Sequence, residues 1–370
     1  MKKILLLIVP LLLTACAHAE QTVRVQLADG LKSAKIQTSG KVYIYTEGGK
    51  KYKVSKPETL HANLVAKDRL QIGALTAETP LIIEPTADVK ITFEKNTYIG
   101  KLHLIPAGTT FSIVEYIDLE DYLLGVLPYE MSYSWPLEAL KAQAVAARTY
   151  THMQLKNAKA DFDLYNDVRS QMYKGSGKVY DSVRQAVEGT HGQVLTYKGE
   201  LFNTYYHANC GGGTDDAHIW TGSSASTIKP LQGASCKTDS HSKSYAWKAA
   251  IPGKSIDSFV NKNGLSGTVT KIKVQERTKT KRAVTLQFTT AKGSKVLSCA
   301  KFRLAVGASL LKSCKINSIG KDKGGFAFSG NGYGHGIGMC QDGAKGMAEN
   351  GKTYKQILEN YFPSSDLTTR

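Results

Sequence analysis

The chain has 370 residues, of which 48 are Lys or Arg and 31 are Asp or Glu, so its formal net charge is +17. This length accommodates two domains, or one large domain with insertions. So basic a protein is expected to have an anionic partner. The basic residues are scattered and no aromatic RNA-binding signature interrupts them, which argues against nucleic acid.

Residues 1–15, MKKILLLIVPLLLTA, have the pattern of a secretory signal: a basic start, then an apolar run too short to span a bilayer. The run ends in Leu-Thr-Ala-Cys, which resembles a bacterial lipobox and predicts that Cys16 becomes the lipidated N-terminus. The alternative is an ordinary signal peptide cleaved nearby. Either reading predicts export. With lipidation, the protein is an envelope lipoprotein anchored to a membrane, about 355 residues long and carrying a charge of +15.

Five cysteines follow Cys16, and in an oxidising compartment this odd number suggests two disulfides and a free thiol, or a metal site. Cys299 and Cys314 close a short local loop and form the first expected pair, and Cys210 with Cys236 forms the second. A zinc site is the alternative, because His207, Cys210, Cys236 and His241 have a spacing that resembles zinc ligands. The disulfide is favoured, since exported cysteines more often pair with each other.

Residues 16–115 are expected to form a β-rich N-terminal region. Short segments rich in β-branched and aromatic residues are separated by Gly, Lys or Pro turns. These segments are VRVQLA, AKIQTS, KVYIYT, LQIGAL, VKITFE, KLHLIP and FSIVEYI.

Residues 116–370 are expected to form the functional core. A short apolar piece, EDYLLGVLPYEM, should break at Pro128, and a helix should begin at Pro136. Small residues at helical spacing in ALKAQAVAARTYTHMQLK predict a central, buried helix. Residues from about 245 to 330 return to strand-like segments, and two short helices close the chain. The expected fold class is α+β, with an Ala-rich helix and glycine-rich loops surrounded by β-rich segments.

Two histidines lie beside glycines: His207 in YYHANCGGG and His335 in GNGYGHGIG. Alternating glycines permit a tight backbone with positive φ and close approach of a ligand to main-chain N–H groups. The spacing matches neither a P-loop nor a dinucleotide fingerprint. A structural turn with an exposed histidine is the alternative interpretation.

Glu130 is the candidate proton carrier. No nucleophile elbow, zinc-protease motif or closely spaced carboxylate pair occurs in the sequence. The aromatic and apolar neighbours Tyr129, Met131, Tyr133 and Trp135 are expected to desolvate the carboxyl and raise its pKa, as a general acid requires.

Four separated blocks together resemble the SpoIID family, which includes stage II sporulation protein D and LytB-type amidase enhancers. They are LEDYLLGVLPYEMSYSWPLEALKAQAVAARTY, FDLYNDVRSQMYKG, YYHANCGGGTDDAHIW with PLQG, and GYGHGIGMCQDGAKGMAENGKTYKQIL. The resemblance extends over about residues 22–368. Bacteria that do not sporulate also encode this domain, so the resemblance alone does not imply sporulation.

The resemblance implies a lytic transglycosylase that cleaves peptidoglycan strands stripped of their stem peptides. The family's catalytic acid, the Glu of its Glu-Met motif, falls on Glu130. From their motifs and chemistry, His207 and His335 are expected to line the cleft. Tyr205, Tyr206 and Arg148 are weaker candidates for glycan contact.

Some sporulation members bind zinc through Cys and His in the block equivalent to FDLYNDVRSQMY. Here that block has Tyr165, Arg169 and Ser170 and neither Cys nor His, so zinc is not carried over to it. Apart from the zinc alternative at Cys210 and Cys236, no metal or other cofactor is expected. The alternative function is a non-catalytic, glycan-binding activator of a cell-wall amidase. A purely structural envelope lipoprotein is a third reading, which the aromatic-flanked Glu130 and the two histidines disfavour.

Overall fold

The computed structural model describes residues 21–156, 161–221 and 228–370. Strands dominate up to residue 118, as the segment pattern predicts. They are β1 Thr22–Leu31, β2 Ser33–Thr38, β3 Val42–Thr46, β4 Lys51–Val54, β5 Glu58–Ala66, β6 Arg69–Ile72, β7 Leu75–Ala77, β8 Leu81–Pro85, β9 Ile91–Phe93, β10 Asn96–Tyr98, β11 Lys101–Ala107 and β12 Thr110–Asp118.

Helices and short strands alternate in the next part of the chain. They are α1 Leu119–Glu130, α2 Leu137–Lys156, β13 Leu164–Tyr165, α3 Asp181–Glu188, β14 Gln193–Tyr197, β15 Glu200–Leu201, β16 Tyr206–His207, α4 His218–Thr221 and a 3-10 turn at Lys229–Leu231.

The remaining elements are β17 Ala246–Pro252, α5 Gly253–Lys262, β18 Lys271–Arg277, β19 Ala283–Thr290, β20 Gly293–Ser298, α6 Cys299–Val306, β21 Ile316–Asp322, β22 Gly325–Asn331, β23 Met339–Cys340, α7 Gln341–Glu349, α8 Tyr354–Tyr361 and β24 Asp366–Thr369. Helices and strands in several sheets confirm the α+β class. Within the described residues, no helix has the length and apolar character needed to cross a membrane.

Two sheets form the β-rich part. One has the strand order β13-β1-β12-β11-β8-β3-β4 and the other β10-β9-β2-β5-β6-β7. The segment LQIGAL, predicted as one strand, belongs to the hairpin of β6 and β7, because Gly73 adopts φ +55° and reverses the chain. Both sheets share one hydrophobic core with the helices, so Val23 and Leu140 belong to the same cluster.

Helix α2 is the predicted central helix, and its prediction is confirmed. Leu140, Ala144, Ala147 and Thr151 are all fully buried. Small side chains let α1, α3, α7, α8 and β14 pack around it. The backbone N–H groups of Ala139 and Leu140 bond to the carbonyl of Pro136. Pro136 therefore lies just before Leu137, the first residue of the helix.

Residues 246–331 have a second hydrophobic core of their own. Its members come from β17 to β22 with α5 and α6, and the rings of Phe259, Phe288, Phe302 and Phe328 contact one another in its centre. The chain then returns to the first core, where α7 and α8 pack on α2. The second unit is therefore inserted between elements of the helical core.

Glu115 on β12 is fully buried where the strands meet α1. It accepts hydrogen bonds from the hydroxyl of Tyr173 at 2.7 Å and from the backbone N–H of Gly100 at 3.0 Å. Burial outweighs these bonds and raises the pKa of Glu115 from 4.5 to about 7. The pKa of Glu115 is higher in the folded protein than in the unfolded chain. The contribution of this carboxyl to stability is therefore fully present below pH 4.5 and is lost as the pH rises through 7.

We expect Glu115→Gln to reduce the loss of stability between pH 5 and pH 8, since glutamine has no proton to lose. The wild type should lose on the order of 2–3 kcal/mol more than the variant over this interval. Urea unfolding at the two pH values measures the difference. The exposed Glu78→Gln is the control and should follow the wild type. Equal pH dependence in wild type and Glu115→Gln would contradict the assignment.

Candidate active site

Glu130 is the last residue of α1. Asp118 caps the start of this helix by accepting hydrogen bonds from the backbone N–H groups of Glu120 and Asp121. The predicted break at Pro128 is wrong, because the helix continues through Pro128 to Glu130. Met131 then turns to an extended conformation, which leaves Glu130 at a helix end with a partly exposed side chain.

The carboxyl of Glu130 is held by groups from distant parts of the chain. Its Oε1 accepts a hydrogen bond from the backbone N–H of Met172 at 2.8 Å. The side chain of Gln341, from the first turn of α7, also bonds to it. Burial raises the pKa of Glu130 above the ordinary value for glutamate, although the bonds to Met172 and Gln341 oppose the shift.

Three tyrosines interact electrostatically with this carboxyl. Burial raises the pKa of Tyr122, Tyr150 and Tyr206, and the charge of Glu130 raises each of them further. Four sequence neighbours were predicted to desolvate the carboxyl. Of these, Tyr129 and Tyr133 are 53% and 45% exposed, whereas Met131 is buried and Trp135 packs against the core.

A buried polar network lies behind the site and centres on Gln171. Its Oε1 accepts from the hydroxyls of Tyr122 at 3.2 Å and Thr151 at 2.9 Å, while its Nε2 donates to the hydroxyl of Tyr206 at 2.9 Å. A buried network with most of its groups paired fixes side-chain positions. Gln171 therefore holds two of the tyrosines that surround Glu130.

The short strand β16 separates the predicted site residues into two groups. Successive side chains of a strand point to opposite faces. Tyr206 faces Gln171 and Glu130, whereas His207 faces Ile337, whose carbonyl lies 3.1 Å from its Nδ1. Tyr205 is partly exposed and packs edge-on to His335, with ring centroids 6.2 Å apart.

The two histidines bond to backbone groups of β16 and of the glycine loop, and their expected place in the glycan cleft stays a prediction. His335 bonds through Nε2 to the Tyr206 carbonyl at 3.0 Å and through Nδ1 to the Ile337 N–H at 3.1 Å. Burial lowers the pKa of His335 to about 4, and burial together with the nearby positive charge of Arg282 lowers that of His207. Both imidazoles are thus neutral at pH 7 and stabilise the glycine loop.

The glycine loop has the backbone conformations that the sequence predicts. Gly334 and Gly338 both have positive φ. A Cβ on Gly334 would lie 2.6 Å from the Cβ of His207. A glycine is therefore required at position 334 for the loop to pack closely against His207.

Arg148 is not a glycan contact, because it is completely buried in α2. Its guanidinium forms two hydrogen bonds of 2.7 Å to the carboxylate of Glu120 and a third of 3.1 Å to the carbonyl of Gln193. This geometry uses the bidentate fork of arginine to join α2, α1 and the start of β14.

The cysteine predictions also need correction. The five described cysteines, Cys210, Cys236, Cys299, Cys314 and Cys340, are free thiols in the structure, so neither predicted disulfide is formed. The ligand set of the alternative zinc site is also wrong, since His207 faces Ile337 and His241 is exposed. Cys210 and Cys236 instead lie with Cys340 and Asp239, and the four ligand atoms are all within 4.8 Å of one another. Cys16 lies outside the described residues.

Sequence reasoning missed Met172, Gln171, Gln341 and Tyr150. Gln171 and Met172 belong to the block FDLYNDVRSQMYKG, and Gln341 belongs to the last block, so their position within the motifs was the available signal. Chemically, the site offers one protonatable carboxyl whose pKa is raised by burial and whose orientation is fixed by hydrogen bonds from Met172 and Gln341. Such a group can donate a proton and later accept one.

Two family models match the chain. The model SpoIID, described as "Stage II sporulation protein", matches residues 107–197, which contain α1, α2 and Glu130. A "Domain of unknown function (DUF8618)" matches residues 224–338, which contain the unit with the second core.

Curated relatives extend the similarity over most of the chain. An uncharacterized protein of Brachyspira hyodysenteriae is 35% identical over 317 residues, covering 80% of this chain and 84% of its own length. The amidase enhancer of Bacillus subtilis is 32% identical over 67% of this chain, which corresponds to 40% of that longer protein. Stage II sporulation protein D of Bacillus amyloliquefaciens is 31% identical over 69% of this chain and 75% of its own length. With three quarters of that relative matched and Glu130 at the end of the matched helix α1, the chain belongs to the SpoIID family.

Proposed function

We propose that this protein is a lytic transglycosylase that cleaves peptide-stripped peptidoglycan strands to 1,6-anhydromuramic products. The observation that carries the proposal is the environment of Glu130. Glu130 is partly exposed as a residue, the pKa of its carboxyl is raised by burial, and the carboxyl is oriented by Met172 and Gln341. These are the properties of a general acid that must stay protonated until substrate binds.

One carboxyl is sufficient for this reaction. Protonated Glu130 donates its proton to the glycosidic oxygen as the bond to the anomeric carbon breaks. The resulting carboxylate then takes the proton of the muramic acid C6 hydroxyl, whose oxygen bonds to the anomeric carbon and closes the anhydro ring. Water is not consumed and Glu130 regains its proton. A hydrolase of the two-carboxylate type would need a second carboxyl nearby. Among the described residues, the groups that bond to the Glu130 carboxyl are an amide N–H and a carboxamide.

The charge of the protein supports an acidic glycan substrate. Strands without stem peptides carry the lactyl carboxylates of muramic acid, and the chain has a strong excess of Lys and Arg. An open groove runs along α7, the helix that supplies Gln341. Trp135, Lys237, Lys243 and Lys345 line it together with Asp342 and Glu349, and Lys345 pairs with Glu349. The aromatic ring and the two other lysines, Lys237 and Lys243, suit an anionic sugar polymer.

Activation of a cell-wall amidase is the second candidate function. It is favoured by the name of the Bacillus subtilis relative, of which this chain matches only a part. On this hypothesis the lysine-lined groove binds glycan, and the Glu130 site is structural. Either function places the protein in the cell envelope, and we propose that Cys16 carries the lipid that anchors it to a membrane.

Replacing Glu130 by Gln should abolish cleavage while the fold is retained, because glutamine keeps the shape of the side chain but cannot donate the proton. We expect activity to fall by about 10²–10⁴-fold. Purified protein is incubated with glycan strands pre-treated with an amidase, and 1,6-anhydromuramic products are quantified by mass spectrometry. Circular dichroism checks folding.

The matched control is Glu188→Gln, which removes an exposed carboxyl from α3 and should leave activity unchanged. Binding without cleavage by a well-folded wild type, together with stimulation of an added amidase, would replace the transglycosylase proposal by the activator. Anhydro products formed equally by wild type and Glu130→Gln would remove Glu130 from the mechanism.

The pH profile of cleavage should report the raised pKa of Glu130. Activity should persist above the ordinary titration range of glutamate and fall as the carboxyl loses its proton. Gln341→Leu removes a hydrogen bond that favours the charged form, so the falling limb should move to higher pH. The rate is measured across pH for wild type and variant. A shift to lower pH would show that Gln341 acts in another way.

A further inference from the structure

Three cysteines and one aspartate meet at a buried point beside the start of α7. Cys210 follows β16, Cys236 and Asp239 come from the loop after the 3-10 turn, and Cys340 is the residue that caps α7. All four are buried. The Sγ of Cys210 lies 3.0 Å and that of Cys340 4.0 Å from Oδ2 of Asp239.

The spacing of these atoms fits a tetrahedral metal site. In such a site, Zn–S bonds of about 2.3 Å place two sulfurs about 3.8 Å apart. The four ligand atoms here all lie within 4.8 Å of one another. A disulfide would bring two sulfurs to about 2.05 Å, and the structure has free thiols instead.

A disulfide within the cluster would also leave other polar groups of the cluster without partners. It would use two of the three thiols and leave the third unpaired. If Cys210 were oxidised, Asp239 would lose the thiol that bonds to its Oδ2. Its Oδ1 is already buried without a hydrogen-bond partner. A buried carboxylate oxygen without a partner is costly, and a cation would compensate it.

The surroundings are built to support thiolates. The Sγ of Cys340 accepts from the backbone N–H groups of Cys210 at 3.2 Å and Gly343 at 3.3 Å, and the hydroxyl of Tyr361 lies 3.1 Å from the Sγ of Cys236. Gly343 is needed here, because a Cβ on it would lie 2.5 Å from the Sγ of Cys236. Such outer hydrogen bonds are a regular part of metal sites.

Positive groups next to the cluster offset its charge. Three thiolates and a carboxylate around a divalent cation carry a net charge of −2. Arg282 donates to the carbonyl of Cys210 at 2.9 Å, and the ammonium of Lys315 bonds to the carbonyl of Gly211. The N-terminal end of α7, which Cys340 caps, adds the positive pole of a helix dipole.

We propose that Cys210, Cys236, Cys340 and Asp239 bind a structural zinc ion. Three sulfurs and one oxygen are ligands that suit tetrahedral Zn²⁺, and four protein ligands leave no open position for substrate. Binding releases the protons of the three thiols to solvent. The metal joins three segments of the chain and fixes the start of α7. Because Gln341 directly follows Cys340, the same ion holds in place the side chain that bonds to Glu130.

The first test is the metal content of the full chain, exported by its host and purified without chelators. Inductively coupled plasma mass spectrometry should find one zinc ion per wild-type chain. Cys340→Ser should lose it to near zero, whereas Cys299→Ser, which removes a buried cysteine from the second core, should keep it. A metal-free wild type, a disulfide within the cluster in non-reduced peptides, or full zinc content in Cys340→Ser would overturn the proposal.

A second measurement needs no variant and remains informative if Cys340→Ser does not fold. Removing zinc from the wild type with a chelator should make the cluster thiols reactive to alkylation. It should also speed amide hydrogen exchange at the start of α7 while leaving α5, in the second core, unchanged. Unchanged alkylation and exchange after chelation would overturn the proposal. Neither measurement uses cleavage, so zinc binding and the proposed enzymatic function can fail separately.

Discussion

Close packing around helix α2 is the constraint on which the rest of the structure depends. A helix lined by alanines lets neighbouring backbones approach closely, and α1, α3, α7, α8 and β14 all pack against it. Arg148 locks this arrangement from within through its paired hydrogen bonds to Glu120. Removing one member would leave a buried charge without its partner, so the two residues are needed together. Their role is to hold α1, and with it Glu130, at a fixed angle.

The candidate active site is a consequence of that packing. Three separate segments shape the surroundings of the Glu130 carboxyl: Met172 from a loop and Gln341 from α7 bond to it, and Tyr206 from β16 interacts with its charge. Each arrives because its own element rests on α2 or on the network around Gln171. A raised pKa is therefore a property of the assembled core and not of the local sequence. The proposed zinc site would act in the same way, since it anchors Cys340, the residue that caps α7 and directly precedes Gln341.

The unit with the second core contacts the loop that carries the cysteine cluster. It folds around its own phenylalanines, yet Arg282 from this unit bonds to Asp215 at 3.0 Å and to the carbonyl of Cys210 in the first unit. These buried contacts join the insertion to the loop that carries the cysteine cluster. The two neutral histidines, His207 and His335, lie at the same junction and contribute packing and backbone hydrogen bonds.

The sequence by itself determined the features that depend on neighbouring residues. Segments rich in β-branched and aromatic residues, separated by turn residues, identified the strands of the β-rich region. Alanine spacing identified α2, and four motif blocks identified the family and the candidate Glu130. Tertiary structure decided the rest, because it brings together residues far apart in the chain. It carried α1 through Pro128, turned Arg148 inward to Glu120, and placed His207 on the opposite face of β16 from Tyr206. It also grouped Cys340 and Asp239 with Cys210 and Cys236, a set that no local spacing reveals, since a metal site depends on distance in space.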